Sequence, residues 1–283
     1  MRLVVTSGYG RSLHAIALLH QLRARGHDVA LCLSVRVLNA ARIRFYVRQL
    51  GWRRFWRKVS AKLRTGSRTQ TGAGSAAGEV AAMRRYLDLA GIASRTVSAA
   101  CATLGVREGR VGSLNDPAAL AALREARPDL VVYAGGGILR QPLLDIPRLG
   151  VLNAHGGPLP SFRGMNSGEW ALFHGVTPEV TVHFIDAGVD TGPILLRRPV
   201  PVETWRDIPT GRGESTRVSV EALLEAVDLV ARGGHDVQPQ SPHDGRQFFV
   251  MAEPLLEVVQ RWIADERTPV RTAAGFRWPS RPG

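Results

Sequence analysis

Short apolar runs alternate along this chain with stretches whose apolar positions recur every three or four residues. The first run, MRLVV, reads as a strand. The turn SGYGRS follows, and HAIALLHQLRARG continues as an amphipathic helix with Ile16, Leu19 and Leu22 on one face and Gly26 placed to end it. HDVALCLSV is a second strand, so the chain opens as strand, helix, strand. Glu79 to Ala90 and residues 117–126 read as helices, the latter with Asp116 as N-cap and Pro117 at its first position. DLVVYAGGG is a buried strand running into a glycine turn, GVLNAH is the next strand and EVTVHFID the one after, and the alternation lasts to about residue 200. Beyond Pro199 come a helix, TRVSVEALLEAVDLVARGG, ending at Gly233-Gly234, then a loop, a short strand QFFVM, a helix PLLEVVQRWIADE from Pro254, and a polar tail. The pattern predicts an α/β fold: a mostly parallel, doubly wound sheet over residues 1–235, with a short helical C-terminal extension over 236–283.

One segment breaks the alternation. Residues 40–65 read as a basic amphipathic helix or helix pair, with Ile43, Val47 and Leu50 on one face and Phe45, Trp52, Phe55 and Trp56 interleaved; GSRTQTGAGSAAG, residues 66–78, reads as a mobile loop. Together they form a basic insert at about 36–78. The formal charge of the 283 residues is +13, and eleven Lys/Arg between Arg36 and Arg68, with no acidic residue among them, carry it down to +2 when set aside. The body of the protein is thus near neutral, and a DNA-binding function is not expected. The insert suits an anionic membrane face, an RNA, or a solvated helical cover on the sheet edge.

The composition excludes other classes. With 45% hydrophobic residues the chain can bury a core, and no apolar run approaches the ~20 residues that span a bilayer. The N-terminus leads into a glycine turn rather than a signal-peptide cleavage site. Cys32 and Cys101 have no metal-ligand spacing, so no metal site is expected, and they fit a reducing compartment, the cytoplasm.

The chemistry concentrates between Gly150 and Gly192. Asn153 and His155 lie two apart at a strand end, so both can face one site, and Gly156, Gly157, Pro158 and Pro160 impose an irregular loop after them. Ligands in open α/β sheets bind beyond the carboxyl ends of strands. Asp190 sits in a D-x-G-x-D-x-G turn with Asp186, Gly188 and Gly192; a carboxylate near a histidine can orient the ring and raise its pKa. Asn153 and His155 suit stabilisation of a tetrahedral oxyanion, and Asp190 or a water suits removal of a proton from an amine. The turn Gly8-Tyr9-Gly10-Arg11-Ser12 either binds a phosphate of the acceptor through Gly10, Arg11 and Ser12 or merely closes a tight β–α turn. Arg163 either binds the acceptor or forms a salt bridge. His14, His20, His27, His174 and His183 read as packing or surface residues.

The segment N-A-H-x-x-x-L-P-S-F-R-G followed by T-V-H-F-I-D-A-G-V-D-T-G resembles the folate-dependent formyltransferase family, which includes glycinamide ribonucleotide, methionyl-tRNA and sugar N-formyltransferases. The match falls on Asn153, His155, Leu159, Pro160, Gly164, Asp186, Gly188, Asp190 and Gly192, and departs at Gly157 and Pro158, where several members carry Ser and Leu. The resemblance implies a Rossmann-like fold without the dinucleotide fingerprint, and Asn153, His155 and Asp190 as catalytic residues. It also implies that 10-formyltetrahydrofolate, the formyl donor, binds where Gly135, Gly136, Gly137, Ile138 and Leu139 meet the loop with Asp186 and Gly188. Within the family, the 48 residues after His235 are too few for the C-terminal barrel of methionyl-tRNA formyltransferases, and no regulatory domain precedes the first strand. The expected acceptor is therefore a small phosphorylated amine, an amino sugar on a nucleotide or lipid carrier. Glycinamide ribonucleotide, methionyl-tRNA and a non-catalytic folate- or RNA-binding module are the alternatives.

Overall fold

A computed structural model describes residues 1–36, 73–241 and 243–265, together with 272, 276 and 278. The strands are β1 (Arg2–Ser7), β2 (Asp28–Val35), β3 (Arg107–Val111), β4 (Leu130–Tyr133), β5 (Val151–His155), β6 (Phe162–Gly164), β7 (Glu179–Phe184), β8 (Ile194–Pro199) and β9 (Arg246–Phe248). The helices are α1 (Leu13–Ala24), α2 (Ala73–Leu89), α3 (Val97–Leu104), α4 (Pro117–Ala126), α5 (Gln141–Leu144), α6 (Ser167–Phe173), α7 (Ile208–Arg232) and α8 (Glu253–Ala264). Seven strands form one sheet in the order β3-β2-β1-β4-β5-β7-β8. β1 to β5 run parallel, while β7 pairs antiparallel with both β5 and β8. The doubly wound sheet is therefore as expected over its first five strands and reverses at β7.

Alternation along the parallel strands feeds two cores. Leu3 and Val5 face one side with Ile16 and Leu19 of α1, Met83 and Leu87 of α2, and Leu223 and Val227 of α7. Val4 faces the other side with Leu31 and Leu33, Leu123 of α4 and Leu143. Each such side chain buried from water stabilises the fold by roughly 1.5–3 kcal/mol. Strand order reverses at β1, whose neighbours are β2 and β4. The turns after β1 and β4 meet there, and a Cβ on Gly8 would stand 3.4 Å from the backbone N of Gly136. That crevice is where open α/β folds bind ligands.

Four elements differ from the sequence reading. Residues 73–78, expected in a mobile loop, form the first turns of α2; the backbone of Gly78 lies against Pro209 of α7, and small residues make that crossing possible. Helix α7 starts at Ile208, not near Thr216. Asp207 accepts from the Thr210 amide and Thr210 caps back, while Gly211 and Gly213 clear space for the Trp205 ring and for Ala82 of α2. Those two glycines are packing residues in the fold. Asp116 precedes α4 but does not cap it with its side chain; its carboxylate accepts instead from the Ser113 amide at 2.8 Å. The stretch after residue 235, expected as an extension, is woven into the domain: Gln238 bridges Ile194 of β8, β9 pairs with β6, and α8 packs on α6. Strand β3 and helix α3 have no counterpart among the elements expected from sequence.

The basic amphipathic helix expected at 40–65, and with it any membrane-facing role of 36–68, lies outside the described residues apart from Arg36. No described helix is long and apolar enough to cross a membrane.

Candidate active site

Asn153 and His155 stand at the carboxyl end of β5, and the antiparallel neighbour β7 decides what they meet. Asn153 pairs directly with His183 and His155 with Thr181. Asn153 Nδ2 lies 3.1 Å from His183 Nε2. His183 Nδ1 donates to the carbonyl of Phe184 at 2.9 Å, so its Nε2 is the acceptor that takes the Asn153 amide hydrogen. A bulge between Val182 and His183 in the β7–β8 ladder re-aims this end of the strand. His183, read from sequence as a packing or surface residue, is thus a member of the site, 2% exposed. The signal lay in the alternation of T-V-H: positions 181 and 183 face the same side, opposite 155 and 153.

Asp190 reaches the same place from the loop after β7. Its Oδ2 lies 3.3 Å from His155 Nδ1, its Oδ1 lies 3.6 Å from His183 Nε2, and Oδ2 accepts from the Gly164 amide at 2.9 Å. The loop aims it by tight local geometry. Asp190 adopts a left-handed φ of 54°, a conformation Asp tolerates better than most residues. Asp186, expected at the cofactor, spends its Oδ1 on the Gly188 amide and the Thr191 hydroxyl, closing the turn. A side chain on Gly188 would collide with Thr191, and one on Gly192 with the Phe184 carbonyl. The D-x-G-x-D-x-G pattern therefore builds a turn that holds one carboxylate at its centre.

The imidazole of His155 is fixed from its other edge by the carbonyl of Phe162, 2.8 Å from Nε2. Gly157 makes this close approach possible. A Cβ there would stand 2.3 Å from the Cβ of Ser167, 2.9 Å from His155 Nε2 and 3.0 Å from the Phe162 oxygen. The departure from the expected pattern at Gly157 thus matches the bulk that Ser167 supplies. Phe162 itself is held by an aromatic group of Phe248, Phe276 and Trp278.

Electrostatics here run against one sequence expectation. A nearby carboxylate was to raise the His155 pKa. Burial lowers it by more than Asp190 raises it, with His183 lowering it further and the Phe162 carbonyl raising it, so the ring titrates below its ordinary value. Asp190 shows the reverse balance. Burial would raise its pKa, but the nearby His155 and His183 rings and the Gly164 amide outweigh it and bring the carboxyl down to about 2. At neutral pH the pair is therefore a carboxylate beside a neutral imidazole.

A cavity of about 340 Å³ opens beside His155, between α1, α2, α6 and α7. Two polar pairs line it: Glu79 with the Thr216 hydroxyl at 3.2 Å, and Glu169 with Arg212 at 2.6 Å. His14, read as packing or surface, also lines it, with its Nε2 enclosed and burial lowering its pKa to about 4. Gly10, Arg11 and Ser12 lie just before His14 rather than on the cavity wall. The Ser12 hydroxyl caps α1 by accepting from the Ala15 amide, and the Gly10 carbonyl accepts from the Val97 amide. Arg163 is 4% exposed and donates to the carbonyl of Ser241 at 2.8 Å and to Gln240, so it anchors the 240–241 segment rather than facing the cavity. Of the other histidines read as packing or surface residues, His20 meets Ser94, His27 meets Asp228, and His174 joins the aromatic group.

The glycine turn follows β4, the neighbour of β5 in the sheet. Gly135, Gly136 and Gly137 all have positive φ, and a Cβ on Gly136 would strike Leu114. The Tyr133 hydroxyl donates to the Gly137 carbonyl and accepts from its amide. Ile138 is 82% exposed beyond this turn, whereas Leu139 points into the core beneath it.

Known proteins match this arrangement. The family model described as Formyl transferase matches residues 79–226. Among curated proteins, the methionyl-tRNA formyltransferase of Pelobacter propionicus is 38% identical over 152 residues, covering 53% of this chain and 46% of that protein. That of a Roseiflexus species is 41% identical over 148 residues, covering 51% and 45%. The matches thus span under half the length of these relatives. Among solved structures, glycinamide ribonucleotide transformylase 1 from Symbiobacterium toebii superposes with a TM-score of 0.52 at 24% identity, covering 85% of this chain and 94% of that one. A sugar N-formyltransferase from a Shewanella species gives 0.54 at 12% identity, covering 93% and 87%. These two structures share the fold described above.

Proposed function

Because this chain belongs to the formyl transferase family, we propose that it moves a formyl group from 10-formyltetrahydrofolate onto an acceptor amine, that of an amino sugar on a nucleotide or lipid phosphate. The observation that carries the reading is the continuous contact from Asn153 through His183 and Asp190 to His155, set beside a polar cavity.

The roles follow from the protonation states. Asn153 spends one amide hydrogen on His183 and keeps the second for the formyl oxygen, where negative charge grows as the amine attacks. Asp190 is too acidic to hold a proton by itself, and His155 is neutral. As one unit they accept the proton that leaves the amine: Asp190 receives it and His155 Nδ1 holds it, giving a carboxylate–imidazolium pair. The new C–N bond forms, the bond from the formyl carbon to the donor nitrogen breaks, and that nitrogen takes the proton back from the carboxylate–imidazolium pair as it departs. The Phe162 carbonyl accepts from His155 Nε2 throughout and so keeps Nδ1 toward Asp190.

Donor and acceptor are assigned to opposite sides of Asp190. The donor's flat ring system fits beside Gly135–Leu139 and the 186–190 loop, where Ile138 and Val189 present exposed apolar side chains. The acceptor fits the cavity, whose Glu79–Thr216 and Glu169–Arg212 pairs suit the hydroxyls of a sugar ring. A carrier phosphate would then lie at the N-terminus of α1, at Gly10–Ser12.

A second reading, methionyl-tRNA as acceptor, is favoured by the names of the relatives at 38% and 41% identity. The protein incubated with 10-formyltetrahydrofolate and a panel of nucleotide-linked amino sugars, glycinamide ribonucleotide and methionyl-tRNA separates these by mass spectrometry. Gain of one CO unit by an amino sugar supports the first reading. Faster gain by methionyl-tRNA replaces it, and no gain by any amine removes both.

A further inference from the structure

The glycine turn after β4 is held by three side chains, each making a reciprocal pair of hydrogen bonds with it. The Thr6 hydroxyl donates to the Gly135 carbonyl at 2.9 Å and accepts from the Ala134 amide at 3.1 Å. The Tyr133 hydroxyl donates to the Gly137 carbonyl at 2.9 Å and accepts from the Gly137 amide at 3.1 Å. Asn115 donates to the Ile138 carbonyl at 2.8 Å and accepts from the Arg140 amide at 2.9 Å. Glycine loses more conformational freedom on ordering than any other residue, so a run of three needs such restraints to keep one shape. The amide and carbonyl of Gly136 and the amide of Ile138 carry no hydrogen bond among the described residues, and they are free to meet a ligand.

Of the three side chains, Tyr133 stands nearest the chemistry. Its register partner across the β4–β5 ladder is Asn153, and partners in a parallel ladder project from the same face of the sheet. The phenol therefore lies beside the amide assigned to the formyl oxygen, and its hydroxyl ties off the turn one residue before the exposed Ile138. Thr6 lies on β1 and Asn115 in the loop before α4, and neither adjoins β5. Burial raises the pKa of the Tyr133 hydroxyl, the Gly137 amide lowers it and the Asp190 charge raises it, so the hydroxyl keeps the hydrogen that it donates.

We propose that Tyr133 is a positioning residue for the formyl donor: its paired hydrogen bonds with Gly137 hold the free peptide groups of Gly136 and Ile138 in the arrangement that the donor's ring binds, beside Asn153. This rests on the formyl-transfer reading. The bonds to Gly137 are exposed to solvent, so their loss leaves the Gly137 amide and carbonyl to water. The domain then keeps its stability, while the donor itself has to order the turn as it binds.

Tyr133→Phe keeps the ring and removes both hydrogen bonds. The binding probe is 5-formyltetrahydrofolate, a stable isomer of the donor, titrated calorimetrically into the full chain. The wild type binds it, and Tyr133→Phe binds it about ten-fold more weakly, since pre-organisation of the turn is lost. Without ligand, the Gly137 amide of the variant exchanges its hydrogen faster than that of the wild type. In formyl transfer the variant's KM for the donor rises, while kcat, the KM for the acceptor and the urea midpoint stay at wild-type values. Equal folate binding by the two proteins, unchanged exchange at Gly137, or a rise in both KM values with a lowered urea midpoint overturns the proposal and leaves the formyl-transfer reading standing. No folate binding by the wild type overturns that reading and the proposal with it.

Discussion

Gly157 offers a quantitative check on how the His155 imidazole is held. Gly157→Ala places a methyl group 2.3 Å from the Cβ of Ser167, 2.9 Å from His155 Nε2 and 3.0 Å from the Phe162 oxygen. All three contacts must relax, and overpacking of this kind costs about 1–3 kcal/mol of stability. Two of the three atoms are the ends of the 2.8 Å hydrogen bond that orients His155. A displacement of about 1 Å in a catalytic group costs on the order of 10²-fold in rate. Ser167→Gly removes the closest obstacle, at the price of a helix-disfavouring residue in α6 and of the Ser167 hydroxyl bond to the Gly164 carbonyl. The double variant should therefore be more stable than the sum of the singles by about 1–2 kcal/mol, and should recover part of the lost rate. Urea unfolding of the four proteins gives the coupling energy, and formyl-transfer rates on one acceptor give the second cycle. Strictly additive stabilities, or a Gly157→Ala protein with wild-type turnover, would refute the claim that this glycine shapes the site around Ser167.

His155→Ala and Asp190→Ala should each lower turnover at least ~10²-fold while leaving the circular dichroism spectrum and melting temperature near wild type; full rate in either variant removes that residue from the mechanism. Because the His155–Asp190 pair accepts a proton only while His155 is neutral, kcat should fall as pH drops through the depressed His155 pKa; an acid limb centred above pH 6.5 contradicts this. Stability should also respond to His14. Its folded pKa of about 4 lies below the unfolded value of 6.5, so the unfolded chain binds the proton first. Stability is then lost as pH falls from 6.5 toward 4, by at most about 3 kcal/mol, less to the extent that the ring edge facing the cavity is hydrated. Urea unfolding of His14→Leu at pH 7 and pH 4.5 should show a smaller pH effect than wild type, and an equal effect rules out His14 as the source.

Apart from β3, the parallel half of the fold was legible because apolar runs and turn chemistry act locally there: Leu3 to Val5 and Leu130 to Val132 are apolar runs that follow a charged residue and lead into glycine turns. That Asn153 and His155 share one face was legible from their spacing of two on a strand, and the position of Asp190 from a turn whose Gly188 and Gly192 admit no side chain. His183 was not, since its partnership with Asn153 depends on an antiparallel register that no local pattern encodes. The direction of the His155 pKa shift was not legible either, because burial is set by the whole fold and outweighs the one carboxylate visible in sequence. The start of α7 was missed because Gly211 and Gly213 lower helix propensity locally, while their role is to let Trp205 and α2 approach. Phe276 and Trp278 looked like a polar tail because their partners lie far upstream in the chain.

That distance has a consequence for how the protein comes into being. Trp278 Nε1 donates to the Ser161 carbonyl, a hydrogen bond spanning 117 residues of sequence, and the Phe162 ring beside it rests on Phe276. On a ribosome adding about 5–20 residues per second, the 159–162 loop waits on the order of ten seconds for the rings that brace it. The nascent chain can complete its parallel strands and its two cores in that interval, yet the support behind the His155 imidazole arrives only once residues 276 and 278 have been made.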